Sequence, residues 1–230
     1  GVQLTRAQRK LLDDSVLALC GGEPVVLRRG RGLSPYSLPL AGAPDGLLAA
    51  GAQLKSTVAV TAGGNAVLSP YIGDLDHAGA QRLWRRTLDD LAGLHGLAPV
   101  AAVADLHPDY AATRGAAELG VPVEEVQHHH AHIAACLAEN GLDGPVLGIA
   151  WDGTGLGTDG TIWGGEFLVC TRADFRRAAW LRPFPLVGGD AAAREPRRAA
   201  LGVLREMASA HPPPGFTPAE LAVLDGMLRQ

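Results

Sequence analysis

The chain has 230 residues, 47% hydrophobic and 19% charged, enough for one large domain or two small ones with a substantial core. Its net charge of −4 leaves no global basic field to steer it toward nucleic acid. No uninterrupted apolar run approaches the length of a membrane span. Cys20, Cys136 and Cys170 are far apart with no CxxC pair, which argues against a thiolate zinc site and suits a reducing compartment, so the cytoplasm is the expected location. The chain opens on Gly1 without an initiator Met and stops at Gln230, and is expected to be a piece of a longer protein.

In chain order, a short charged helix-like start precedes a strand at Val25–Leu27 and a basic exit at Arg28–Arg31. Residues 33–45 hold Pro35, Pro39 and Pro44 and are expected to be a linker, since proline sustains neither a helix nor a central strand. Strand-like runs at Leu54–Thr61 and Asn65–Leu68 flank Ala62-Gly63-Gly64, a hairpin signal. Residues 80–95 follow a helical period with Trp84, Leu88 and Leu91 on one face. A strand at Val100–Ala104 ends at Asp105; a helix at Tyr110–Leu119 stops at Gly120; a strand follows at Val121–Val126. His128–Glu139 reads as a helix stopped by Asn140-Gly141, then come strands at Pro145–Trp151 and Ile162–Cys170. Residues 194–208 and 217–229 look helical, split by His211-Pro-Pro-Pro-Gly. This alternation argues an α/β fold with a parallel or mixed sheet and flanking helices.

Gln127-His128-His129-His130-Ala131-His132 is the most informative segment. On a helix, His128 and His132 stand one turn apart on one face, close enough to share a metal ion. The apolar residues that follow bury the helix, and buried imidazoles need partners, which a metal supplies. A solvated histidine patch is the competing reading. His129 and His130 point to other faces and are expected to be hydrogen-bonding supports or substrate contacts. The motif lacks the Glu base of zinc proteases, because His129 occupies that position.

Asp152-Gly153-Thr154-Gly155 follows the strand ending near Ala150, and an acidic residue there sits where open α/β sheets bind ligands. Its glycines let backbone N–H groups approach a phosphate or carbonyl oxygen, and Asp152 offers an oxygen ligand beside two imidazoles, suited to iron or zinc. A tight hairpin turn also explains Asp-Gly pairs.

These segments carry a family resemblance when taken with Gly51-Ala-Gln-Leu-Lys55-Ser-Thr, Leu68-Ser-Pro-Tyr-Ile-Gly-Asp74, Asp105-Leu-His107-Pro-Asp109-Tyr110, Asp159-Gly-Thr-Ile-Trp-Gly-Gly-Glu166 and Gly189-Asp190-Ala-Ala-Ala-Arg-Glu195-Pro. Together they resemble the carbamoyltransferase HypF family of nickel–iron hydrogenase maturation. The resemblance implies that residues 1–32 end a YrdC-like domain, with 33–45 a linker. It further implies that 46–175 form the first lobe of a carbamoyl-transfer domain of the actin/sugar-kinase (ribonuclease-H-like) type, and that 176–230 begin an incomplete second lobe. It implies that carbamoyl phosphate and ATP yield carbamoyl adenylate, whose carbamoyl group passes to the C-terminal cysteine thiol of a HypE-like partner and feeds cyanide synthesis. It also implies a divalent transition metal, iron or zinc, held by His128, His132 and Asp152, with a further Asp ligand outside this chain.

Within that resemblance Lys55, His129, His130, Gly153, Thr154 and Gly155 are candidate substrate-binding residues. A solvated strand lysine is an equal reading of Lys55. His107 and Asp109 are expected to fix a loop; Asp190, Arg194 and Glu195 are expected to shape the lobe interface, though an ordinary helix N-cap explains Asp190 as well. Rival readings are a tRNA threonylcarbamoyl-transfer relative, an O-carbamoyltransferase, and a non-catalytic metal-binding docking module. Trp163-Gly-Gly-Glu166 and the unbroken histidine run favour HypF over the first two.

Overall fold

The computed structural model describes residues 12–209 and 211–228. They divide into two compact units, Gly1–Trp180 and Leu181–Gln230.

In the first unit, β1 (Val16–Cys20) and β2 (Glu23–Arg28) form an antiparallel ribbon turned at Gly21-Gly22, both at positive φ. Val16–Cys20 is therefore a strand where a helix-like start was expected. The remainder of that expected start falls on residues 1–11, outside the described residues.

The main sheet has six strands in the order β3-β6-β5-β4-β7-β8. They are β3 (Tyr36–Pro39), β4 (Leu47–Ala49), β5 (Ala59–Ala62), β6 (Asn65–Leu68), β7 (Ala101–Asp105) and β8 (Val123–Val126). The first four pair antiparallel, while β4–β7 and β7–β8 are parallel, so the sheet is mixed, as the alternation implied. The expected linker thus contributes β3, an edge strand that ends on Pro39, where a missing N–H costs little. The β5–β6 hairpin turns at Gly63-Gly64, both at positive φ. The run expected to start at Leu54 becomes regular only at Ala59, because the preceding residues bend through Lys55 at φ 51°.

Helices α1 (Ala78–Leu94) and α2 (Ala111–Ala117) supply the rest of this core. Trp84, Leu88 and Leu91 are buried with Leu48, Val58, Val60 and Ala102, and Trp84 Nε1 donates to the Ala50 carbonyl at 2.8 Å. Gly115 makes room for that indole: a Cβ there would stand 2.6 Å from the ring.

Helix α3 (His128–Glu139) ends at Asn140, with Gly141 at φ 64° just beyond, matching the sequence expectation. A three-stranded antiparallel sheet, β13-β12-β9, follows from β9 (Val146–Ala150), β12 (Glu166–Cys170) and β13 (Phe175–Trp180). A small ribbon of β10 (Gly155–Leu156) and β11 (Ile162–Trp163) lies between β9 and β12 in sequence. The single strand expected at Ile162–Cys170 is thus broken at Gly164-Gly165. Helix α3 sits directly on β9, since a Cβ at Gly148 would lie 2.3 Å from the Ile133 side chain.

The second unit contains α4 (Asp190–Arg194), α5 (Pro196–Glu206) and α6 (Pro218–Met227), with Val187, Leu201 and Leu224 buried. Glu195-Pro196 separates α4 from α5, because proline fits the first turn of a new helix and not the interior of an old one. Thr217 and Glu220 cap α6 reciprocally. Among the described residues no helix is long and apolar enough to cross a membrane.

Candidate metal centre

The site is assembled from the ends of β7, β8 and β9. Gln127 leaves β8 in an extended conformation, and its Oε1 accepts the His130 N–H at 2.9 Å, so the helix begins at His128. Helical spacing then brings His128 and His132 together, with their Nε2 atoms 3.2 Å apart. Asp152, two residues beyond β9, turns Oδ2 toward both rings, 3.1 Å from His128 Nε2 and 3.2 Å from His132 Nε2. These three side chains form a group whose donor atoms all lie within 4.8 Å of one another.

Each member has support. Asp105, buried at the end of β7, lies 2.6 Å from His128 Nδ1, which leaves His128 Nε2 facing Asp152 and His132. Asp152 Oδ1 lies 2.7 Å from Nε2 of His129, a residue with 0% exposure. Hydrogen bonds to Asp105 and then Asp152 outweigh burial and push the His128 imidazole up to about 9. Burial opposes the charge of Asp152, yet contacts from His128, His129 and His132 together hold its carboxyl far below the usual range. Burial, helped by Asp105 and Asp152, pushes the Tyr110 phenol up.

The Asp152 loop is held from its far side. Gly153 N–H donates to the Gly164 carbonyl at 3.3 Å, and Gly164 N–H donates to Glu166 Oε1 at 3.2 Å. Glu166, only 2% exposed, takes a two-pronged ion pair from Arg177 at 2.6 and 3.0 Å. The Arg177 guanidinium packs over the Trp163 and Trp180 rings, 4.1 and 4.3 Å from their centroids.

His128, His132 and Asp152 therefore converge, while most of the expected substrate contacts do not face an open site. His129 and His130 are buried, and their ring nitrogens meet protein partners: Asp152 and Gln127 for His129, the Thr171 carbonyl for His130. Both rings face the protein interior in this structure. The Gly153 N–H is spent on Gly164, and Gly155 is buried in the β10–β11 ribbon. A Cβ on Gly155 would stand 2.7 Å from the His129 ring, so this glycine lets the loop press onto α3. Thr154 is exposed. Lys55 lies in an exposed loop before β5 and not in the hairpin, with its N–H given to Asp74 Oδ1 at 2.8 Å. His107 and Asp109 order a loop: Asp109 N–H donates to His107 Nδ1, and the His107 ring stacks on Tyr110 with centroids 4.3 Å apart. Gly189 holds the N-cap of α4, so Asp190 is its first residue.

Sequence reasoning passed over Asp105, Gln127, and the pair Glu166–Arg177. Asp105 carried the same signal as Asp152, an acidic residue at the carboxyl end of a strand in a mixed sheet.

Comparison with known proteins fits this geometry. The family described as the HypF Kae1-like domain matches residues 43–139, and the second subdomain of the carbamoyltransferase Kae1-like domain matches 148–227. The matches divide the chain between 139 and 148, ahead of the 175–176 boundary expected from the sequence. Carbamoyltransferase HypF of Rhizobium leguminosarum bv. viciae is 46% identical over 193 residues, covering 84% of this chain and 25% of the relative. That of Synechocystis sp. is 45% identical over 195 residues, with 84% and 25% covered. The chain thus spans about a quarter of the length of these curated relatives. The crystal structure of full-length HypF in a phosphate- and nucleotide-bound form superposes with TM-score 0.85 at 37% identity, covering 95% of this chain and 30% of that one. T. kodakarensis HypF gives TM-score 0.76 at 36% identity, covering 94% and 27%. The fold is therefore α/β of the actin/ribonuclease-H-like type, and the chain belongs to the HypF family, with residues 43–139 and 148–227 matching its Kae1-like domain.

Proposed function

We propose that this chain is the carbamoyl-transfer part of a HypF-type carbamoyltransferase, and that His128, His132 and Asp152 hold a divalent transition metal, iron or zinc. The observation that carries the reading is the near-equilateral triangle of His128 Nε2, His132 Nε2 and Asp152 Oδ2, with edges of 3.2, 3.1 and 3.2 Å. Donor atoms sharing one ion at about 2.0–2.2 Å stand about 2.8–3.6 Å apart in octahedral or tetrahedral arrangement, so the residues fit such an ion. Two imidazoles and one carboxylate are also a donor set suited to iron or zinc.

Bound there, the ion would supply Lewis acidity to the carbamoyl carbonyl oxygen. Asp105 orients His128, in the manner of a carboxylate behind a metal-bound imidazole. His132, with its side chain 58% exposed, marks the side from which substrate arrives. The acyl donor in this reading is carbamoyl adenylate, made from carbamoyl phosphate and ATP. The acceptor is the C-terminal cysteine thiol of a HypE-like protein, so no cysteine of this chain is needed as nucleophile. The three free cysteines agree with the cytoplasm. The β1–β2 ribbon is assigned to the end of a YrdC-like domain, and the carbamoyl-transfer domain begins near residue 46.

The test has two parts. Metal content of the chain purified without added metal should fall at least tenfold in His128→Ala and His132→Ala; unchanged content in both overturns the metal assignment. A longer family member carrying either substitution should lose carbamoylation of a HypE-like C-terminal peptide, read by mass. Continued carbamoylation with the metal gone would remove the site from the reaction.

A further inference from the structure

Asp152 is addressed from two sides. Oδ2 faces His128 and His132, while Oδ1 lies 2.7 Å from the Nε2 of buried His129. What that nitrogen offers depends on Gln127. The Gln127 side-chain oxygen is committed to the His130 N–H at 2.9 Å, and its nitrogen lies 3.1 Å from the Leu156 carbonyl oxygen. A flipped amide would set oxygen against oxygen at Leu156 and N–H against N–H at His130, so its orientation is fixed from both ends. The same nitrogen lies 2.9 Å from His129 Nδ1 and must donate to it. His129 Nδ1 is then an acceptor, and the ring proton resides on Nε2, a fully buried nitrogen 2.7 Å from Asp152 Oδ1 that makes no aligned hydrogen bond to it or to any other group among the described residues.

We propose that Gln127 and His129 are positioning residues for Asp152: the Gln127 amide selects the Nε2–H form of His129, and a small turn of the carboxylate, 2.7 Å away, gives that otherwise unpartnered buried N–H its acceptor in Oδ1 and leaves Asp152 a single oxygen for the ion. This rests on the metal reading above. A one-oxygen carboxylate leaves coordination positions open for substrate, whereas a two-oxygen carboxylate would fill one more. His129 touches neither ion nor substrate and acts only through Asp152.

Two measurements on the full 230-residue chain test this. In the metal-free wild type, long-range proton–nitrogen correlation of the histidine rings should show His129 protonated on Nε2; protonation on Nδ1 overturns the proposal, and this needs no variant that might misfold. The second uses Co²⁺ as probe, read by affinity and visible absorption. His129→Gln places an amide N–H near the Nε2 position and should keep the wild-type spectrum and affinity. His129→Asn cannot reach, and should bind Co²⁺ roughly 10- to 100-fold more weakly with an altered spectrum. If both variants bind as wild type does, the positioning role is wrong while the metal site stands. If wild-type binding does not depend on His132, the metal reading itself fails and takes this proposal with it.

Discussion

In the six-stranded sheet, α1 and α2 seal Trp84, Leu88 and their neighbours into a core of fourteen buried residues. In the three-stranded sheet, α3 packs one face of β9 through Gly148 and Ala150, while Leu147, Ile149 and Trp151 on the alternate positions are each more than half exposed. The first sheet closes over its large apolar cluster; the second closes over a smaller one of Ile133, Leu137, Ala150, Trp163, Leu168 and Cys170, with the buried Glu166–Arg177 ion pair beside it. The site draws on both, with Asp105 from the first and Asp152 from the second. His128 spans them, 2.6 Å from one carboxylate and 3.1 Å from the other. The spacing of His128, His132 and Asp152 therefore depends on how firmly the less covered sheet is held.

The largest effect should come from Trp84→Ala, which empties the better core and leaves the Ala50 carbonyl without its donor. It should cost about 3–5 kcal/mol in urea denaturation, and a loss under 1 kcal/mol would break the contrast. Next, Arg177→Ala strands a carboxylate that is 2% exposed and should cost about 3 kcal/mol. The fluorescence of Trp163 and Trp180, which flank Arg177, reports on that loss directly. If the change is no larger than that of a surface mutation, the ion pair does not hold this sheet. Asp105→Asn removes the charge behind His128 and should weaken Zn²⁺ binding roughly tenfold in a competition titration. Unchanged affinity would make Asp105 a structural residue only. The smallest effect belongs to Leu147→Ser on the exposed face of β9, within about 0.5 kcal/mol of wild type by thermal melt. A larger destabilisation would show that this face is covered in solution.

What the sequence made legible follows from how local each signal is. Helix α3 was readable to its exact bounds because its ligand spacing, its apolar face and its Asn-Gly stop all lie within fifteen residues. The hairpin at Gly63-Gly64 and the face of Trp84, Leu88 and Leu91 were readable for the same reason. Strands β1, β3 and β13 were not, since their residues are mostly exposed or half-buried and give no strong alternation. Proline in β3 argued against a strand until the edge position removed the objection. In the site, the ligand triangle was accessible from helix spacing plus a strand-end aspartate. Asp105 gave the same strand-end signal, but no glycine-rich turn follows it to mark that strand end as a binding loop. Helical geometry correctly turns His129 away from the face of His128 and His132. It does not reveal that the loop after β9 wraps round to present the second oxygen of Asp152 there.

The Gln127 side chain both starts α3 and contacts His129, so initiation of the helix and arrangement of its first histidines are one event. Fraying of that first turn would release the His130 amide to solvent and disorder the carboxylate's neighbour at the same moment. An ion that binds only the ordered form must slow this opening in proportion to its occupancy. Deuterium uptake at the single backbone amide of His130 is therefore a clock for site occupancy, usable even with a spectroscopically silent metal.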